Sequence, residues 1–415
     1  MIHMNRFKVS DHSEPPIVFV NPFGLFRQHP VRLRAVHMGI LLLLTLMSRW
    51  ASRSLPYFVD GPRHVEAVQD GTLFIQPPGY FLFEFTGLIV SKLLHVSPSV
   101  SLSIVNIMFG VSAVLVFYFL ATRFFDLEHS LMLSMVYAAT PLVWFVADIH
   151  STYAAMTFFA PLLFLLVETE NHFVLGCLAW SFMAGFRPSD GVFVVPWMLY
   201  HGIRQTWGSR IKGGVVAAAG VLLWWLPTAQ RMGGGFFSPI TASKSMASSV
   251  AHGPLSSHPS LLSVMNVMRG FSAMLIAWGV LLPFLAIGAV ILWHRHSAVK
   301  SSLIWMIPGI SYFLLYYIAD ASYFSFCVAP GLLIVGFLLC ELAKPLRTAV
   351  YSCAITASLL FIFLAHPIEP NSKPKAFLDA YFIKYSVWSL KHQYGPTLSD
   401  LLGVCGQKDV FGACK

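Results

Sequence analysis

Val36-His37-Met38-Gly39-Ile40-Leu41-Leu42-Leu43-Leu44-Thr45-Leu46-Met47-Ser48-Arg49-Trp50-Ala51-Ser52-Arg53 decides the fold class. Its only charges, Arg49 and Arg53, come at its end. Crossing a hydrocarbon core takes about 20 apolar residues of helix, and a helix is what lipid demands, because its backbone groups are satisfied within the segment. Working outward, comparable stretches recur at 98–121, 130–147, 153–167, 173–186, 191–203, 213–227, 271–293, 302–319, 322–342 and 348–366. The chain reads as an all-α polytopic membrane protein with about eleven transmembrane helices.

Composition agrees. Of 415 residues, 56% are hydrophobic and 11% charged, against roughly 25% charged in a soluble domain. Mean hydropathy is +0.69, and aromatics make up 14%. A soluble enzyme, a disordered tail and a disulfide-stapled secreted module are excluded. The net charge of +9 would suggest nucleic acid in a soluble protein. Here the basic residues sit in short segments between apolar stretches, where they set orientation. No RNA-binding or helix-turn-helix pattern is present, so nucleic acid is not an expected partner.

With the N-terminus cytoplasmic, the inside segments hold Arg6, Lys8, Arg27, Arg32, Arg34, Arg123, Arg204, Arg210, Lys212, Arg295, Lys300, Lys344 and Arg347. The longer outside segments hold fewer: Arg49, Arg53, Arg63, Lys92, Arg187, Arg231, Lys244 and Arg269. An odd number of spans then puts the C-terminus outside. The expected organisation is a cytoplasmic segment 1–35, a transmembrane domain 36–366 with outer loops 54–97 and 228–270, and an outer tail 367–415. The first apolar run is too long for a signal peptide and lacks a small-residue cleavage site. In the tail, Phe377, Tyr381, Tyr385 and Trp388 recur at helical spacing, as in an interfacial amphipathic helix. Cys405 and Cys414, also in the tail, are expected to form a disulfide in an oxidising compartment. The other four cysteines, Cys177, Cys327, Cys340 and Cys353, fall in apolar stretches and read as packing. No N-x-[ST] sequon argues for a eukaryotic lumen, and an inner bacterial membrane is the expected location.

Chemistry is therefore expected on the outer face. Loop 54–97 contains Asp60-Gly61-Pro62-Arg63-His64-Val65-Glu66 and then Gln76-Pro77-Pro78-Gly79-Tyr80. Asp60 reads either as part of a turn ending the first helix or as an interfacial general base taking a proton from a hydroxyl. The prolines suit a first helical turn. Glu84 follows, buried in a cavity or snorkelling to the surface. Asp148 and His150, at the junction of the third and fourth stretches, are helix-end polar residues, a second acidic site, or two ligands of a divalent metal such as magnesium or manganese. Two ligands do not by themselves make such a site. Arg187 and Asp190 can pair across a turn, or the guanidinium can hold a phosphate in two-pronged fashion. Asp320, Lys244 and Arg269 are weaker candidates, whereas His252 and His258 read as solvated loop residues. Walker A, H-E-x-x-H and G-x-S-x-G patterns are absent, which disfavours an ATP-driven pump, a zinc protease and a serine hydrolase.

The run from Asp60 to Tyr80 resembles the first outer loop of the GT-C superfamily of integral membrane glycosyltransferases, especially the protein-mannosyltransferase and aminoarabinose-transferase group. Asp60, Pro77-Pro78-Gly79-Tyr80 and Asp148 fall where that group places its early acid, its juxtamembrane helix start and its second acid. Gln76 stands where His is more usual. The resemblance implies a GT-C-like fold and a sugar donor carried on polyprenyl phosphate. It implies an extracytoplasmic lipid, glycan or protein acceptor and inversion at the anomeric carbon. Asp60 would be the base; Arg187, with Lys92, Lys244 or Arg269, would hold the phosphate. Arg63, His64, Glu66, Gln76, Pro77, Pro78, Gly79 and Tyr80 would line the cleft. A transporter or flippase of a lipid-linked or anionic solute is the competing reading, and an envelope assembly subunit a third. Charges clustered at span ends, with no internal repeat, fit transport less well.

Overall fold

A computed structural model describes residues 31–53, 60–249, 253–255, 261–317 and 321–365. The expected tail helix, the Cys405–Cys414 pairing, Asp320, His252 and His258 lie outside them. The elements are α1 (Val31–Ser52), α2 (Asp60–Gln69), α3 (Phe81–Leu94), α4 (Pro98–Ala121), α5 (Leu127–Ala139), α6 (Pro141–Asp148) and α7 (Tyr153–Leu163), which runs on as a π-turn to Thr169. They continue with α8 (Phe173–Phe186), α9 (Pro188–Gly202), α10 (Trp207–Arg231), α11 (Ser238–Ser249) and α12 (Leu261–Trp278). The last are α13 (Leu282–Leu292), α14 (Ser297–Leu315), a 3₁₀ segment (Ala321–Cys327), α15 (Val328–Cys340) and α16 (Lys344–Ala365). Local chemistry sets several starts. Ser97, Asp126 and Thr206 accept backbone hydrogen bonds as N-caps of α4, α5 and α10, and Pro98 and Pro141 occupy first helical turns.

Each of the eleven apolar stretches overlaps a helix, α4 and α8 residue for residue. By length and composition, seven of the described helices can cross a membrane, or up to eight if the bent α5–α6 pair is one span. The count of eleven is not reached this way because α7 with its π-turn, α8 and α9 are short. They are largely sheathed by other helices, where a lipid-length apolar run is not required. The chain is a multi-pass integral membrane protein. The expected outer loops are more structured than expected: 54–97 contains α2 and α3. Loop 228–270 is shortened at both ends, since α10 runs to Arg231 and α12 begins at Leu261.

The core is built around α4, which packs against α1, α3, α5, α6 and α7. Small residues allow close approach: Gly110 faces Ala147, and on α10 Gly213 meets Cys177 and Phe173 of α8. The 54° bend between α5 and α6 lies at Thr140-Pro141, where proline lacks the N–H to continue α5. Arg49 of α1, 1% exposed, donates from Nη2 to the Ala138 carbonyl at 2.7 Å and stacks on Trp144 at 3.9 Å. A carbonyl at a helix end thus finds a donor on a neighbouring helix.

Contacts sort the helix junctions into two sets. In one, the end of α1 meets the end of α6, Thr152 meets Arg187, and Gly79 packs on Thr228. Gly253 also donates to the Tyr316 carbonyl there. In the other, Arg123 pairs with Glu170, Gln205 bonds Asn171, and Lys344 pairs with Glu128. The sequence candidates concentrate in the first set.

Candidate active site

Asp60 opens α2, so Asp60-Gly61-Pro62 is the first turn of a new helix and not simply the end of the first. A carboxylate is favoured there by the helix dipole. Gln76 Nε2 donates to Asp60 Oδ2 at 3.2 Å. The Gln76–Tyr80 run turns sharply, with the Gly79 N–H on the Gln76 carbonyl at 2.7 Å. Gly79 has φ +91°, and a Cβ there would lie 2.7 Å from Thr228 Cγ2. Both the backbone and the neighbour call for glycine. Tyr80 then caps α3. Outside the spanning helices, burial raises its phenol above the ordinary value.

Arg187, 6% exposed, extends between α8 and α9. Its Nε donates to Asp190 Oδ1 at 2.9 Å, and its Nη1 lies 3.5 Å from Thr152 Oγ1. The guanidinium carbon lies 4.2 Å from the Tyr153 ring centre and 5.0 Å from that of Tyr323, distances at which a cation is drawn to a ring. Asp190 Oδ1 also accepts from Ser189 at 3.0 Å. The expected pairing across the turn is therefore present, and it fixes the guanidinium plane.

Tyr80 and Tyr317 each lie within electrostatic reach of both Asp60 and Arg187. Tyr323 closes the group, its ring 5.9 Å from those of both Tyr153 and Tyr317. Five separate segments thus bring a carboxylate, a guanidinium and four tyrosines to one end of the bundle.

Asp148 and His150 turn elsewhere. Asp148 Oδ2 accepts from Ser52 Oγ at 2.7 Å, and Asp148 is the charge facing Arg49. His150 Nε2 donates to the Ser99 carbonyl at 2.8 Å and lies 3.0 Å from Ser103 Oγ. Burial lowers this junction imidazole to about 4. Asp148 therefore ties α6 to α1, and His150 ties its junction to α4. Among the described residues no group of three or more His, Cys, Asp or Glu side chains could hold a metal ion. Asp148 and His150 are instead engaged with Ser52 and with Ser99 and Ser103.

The remaining candidates divide. His64 is buried and its Nδ1 lies 3.1 Å from Glu84 Oε1, which resolves Glu84 as a buried residue. Burial raises the Glu84 carboxyl above the usual carboxylate range, with His64 opposing. Arg63 and Glu66 are exposed on the other side of α2, and Lys92 and Lys244 are exposed. The Arg269 side chain is outside the described residues. Sequence reasoning missed Tyr153, Tyr317 and Tyr323. It also missed Arg231, which donates to the Thr72 carbonyl and lies over Phe81 at 5.3 Å. In a chain with 14 tyrosines nothing marked three of them.

No family model and no curated protein matches the chain. Solved structures do. ArnT from Cupriavidus metallidurans, in a crystal structure bound to undecaprenyl phosphate, aligns with a TM-score of 0.58 at 15% identity, over 90% of this chain and 73% of that one. The apo crystal structure of the same protein aligns at 0.55 and 15%, over 89% and 72%. At such identity the likeness is one of fold: the chain has a GT-C-like, all-α membrane fold similar to that of ArnT, as the resemblance of its Asp60–Tyr80 run implies.

Proposed function

We propose that the chain is a membrane glycosyltransferase that moves a sugar from a polyprenyl-phosphate donor to an extracytoplasmic lipid, glycan or protein acceptor. The acceptor oxygen attacks the anomeric carbon from the side opposite the phosphate. The bond to the phosphate oxygen breaks with inversion, and the acceptor's proton passes to Asp60. Gln76 holds the carboxylate through Oδ2. Arg187 takes up the charge of the departing lipid phosphate with N–H groups left over from Asp190 and Thr152, a preorganised donor aimed where charge develops. Tyr80, Tyr153, Tyr317 and Tyr323 supply the walls and further hydroxyl donors.

One observation carries this reading. Asp60, held by Gln76, and Arg187, held among Asp190, Tyr153 and Tyr323, come from segments far apart in sequence, yet both lie within electrostatic reach of Tyr80 and Tyr317. A fold like that of an ArnT crystallised with undecaprenyl phosphate supports a polyprenyl-phosphate lipid as partner. The test is incubation of the purified protein with labelled polyprenyl-phosphate sugars and envelope lipids, glycans or proteins. Label is expected in an acceptor, with free polyprenyl phosphate released. Translocation of the intact donor in proteoliposomes without transfer would instead establish the flippase reading.

A further inference from the structure

We propose that the buried His64–Glu84 pair is a positioning device that fixes the rotation of α2 and so aims Asp60. His64 lies one helical turn beyond Asp60 on α2, and Glu84 one turn beyond Tyr80 on α3. Two polar rungs therefore join the segments. Gln76 holds Asp60 at 3.2 Å, and Glu84 meets His64 at 3.1 Å.

The second rung is costly where it stands. His64 is 2% exposed and Glu84 0%, and Glu84 interrupts the apolar run Phe81-Leu82-Phe83 and Phe85-Thr86-Gly87-Leu88. Replacing a buried ion pair by apolar side chains of similar volume is often neutral or stabilising. Stability alone does not explain the pair; direction does. Helix α2 has ten residues, too few to stand alone in water. Its buried side chains besides His64 belong to Ala67 and Val68, small apolar groups that tolerate rotation. Among the described buried side chains of α2, His64 is the one that makes a directional bond. Its ring also stands edge-on to Tyr80 at 5.7 Å and Phe83 at 5.0 Å, which packs α2 against the start of α3, next to the Gln76 that holds Asp60.

The inference rests on the glycosyltransferase reading for its effect on turnover but not for its geometry. The full-length protein carrying His64→Leu with Glu84→Leu is expected to fold at least as well as wild type by thermal unfolding. Its turnover should fall roughly 10²-fold, as displaced reacting groups do, with donor KM little changed. Glu84→Gln, which keeps an acceptor for the His64 N–H, should recover most of that loss. In an Asp60→Asn background the double leucine change should add nothing. Full turnover in the leucine variant, or a further equal loss on top of Asp60→Asn, would overturn the proposal. Asp60→Cys with Gln76→Cys, joined by a short bifunctional thiol reagent and read by mass spectrometry, gives an arm independent of activity. The cross-link yield should drop several-fold when His64 and Glu84 become leucine. An unchanged yield refutes the positioning role even if the chain transfers no sugar at all.

Discussion

Asp60 and Gln76 are sixteen residues apart in sequence and 3.2 Å apart in space. A sugar hydroxyl is a poor nucleophile, and a placed base contributes about 10²–10⁴-fold. Asp60→Asn should lower labelled-sugar transfer by that factor while membrane insertion and donor binding stay near normal. Asp70, the turn residue before Gly71, is exposed, and Asp70→Asn should be mild in the same assay. Arg187 gives a second prediction. Arg187→Lys keeps the charge but loses the planar fork that Asp190 orients, so donor KM should rise, and more steeply in Arg187→Ala. Unchanged donor affinity in both would leave Arg187 as the partner of Asp190 alone. At this scale the sequence marked the charged members, because charge is rare in an apolar chain. It could not mark Tyr153, Tyr317 and Tyr323, whose meeting at Arg187 depends on contacts between distant segments.

Helices were the most legible elements. Uninterrupted apolar length located α4 and α8 to the residue, since lipid leaves the backbone no other option. Where the chain leaves the lipid, length says less. Helix α12 starts ten residues earlier than expected, its apolar Leu261, Leu262 and Met265 continuing the helix outward past Arg269. The partner of Asp148 was not legible for a related reason: Ser52 lies on α1, and no local pattern reveals that pairing. The turn at Gly79 affords an element-scale prediction. Gly79→Ala must adopt φ +91° and place Cβ 2.7 Å from Thr228 Cγ2. Backbone strain of this kind costs about 1–3 kcal/mol, so thermal unfolding in detergent should show a loss of that order. Adding Thr228→Ser, which removes Cγ2, should restore the steric part and leave the backbone part. Full recovery would mean that the φ requirement was overstated.

At the scale of the whole molecule, what matters is which face of the membrane holds Asp60. Asp60, Thr152, Arg187, Thr228 and Tyr316 belong to junctions that touch one another, while Arg123, Glu170, Gln205 and Lys344 belong to the other set. The second set adjoins the short, basic segments around Arg204, Arg210, Arg295, Lys300 and Arg347. Positive charge in short loops holds a segment on the cytoplasmic side. The orientation predicted from this charge bias turns the Asp60 set outward, where the proposed polyprenyl-linked donor would meet an extracytoplasmic acceptor. Alkaline phosphatase fused after Gly234 should be active, and the same reporter fused after His296 should be silent. A green fluorescent reporter should give the reverse pattern at both positions. Because the two junctions lie on opposite sides of α12 and α13, one orientation cannot satisfy both fusions by accident. The opposite result would turn Asp60 and Arg187 toward the cytoplasm, and the donor would have to be sought among sugars presented on the inner leaflet.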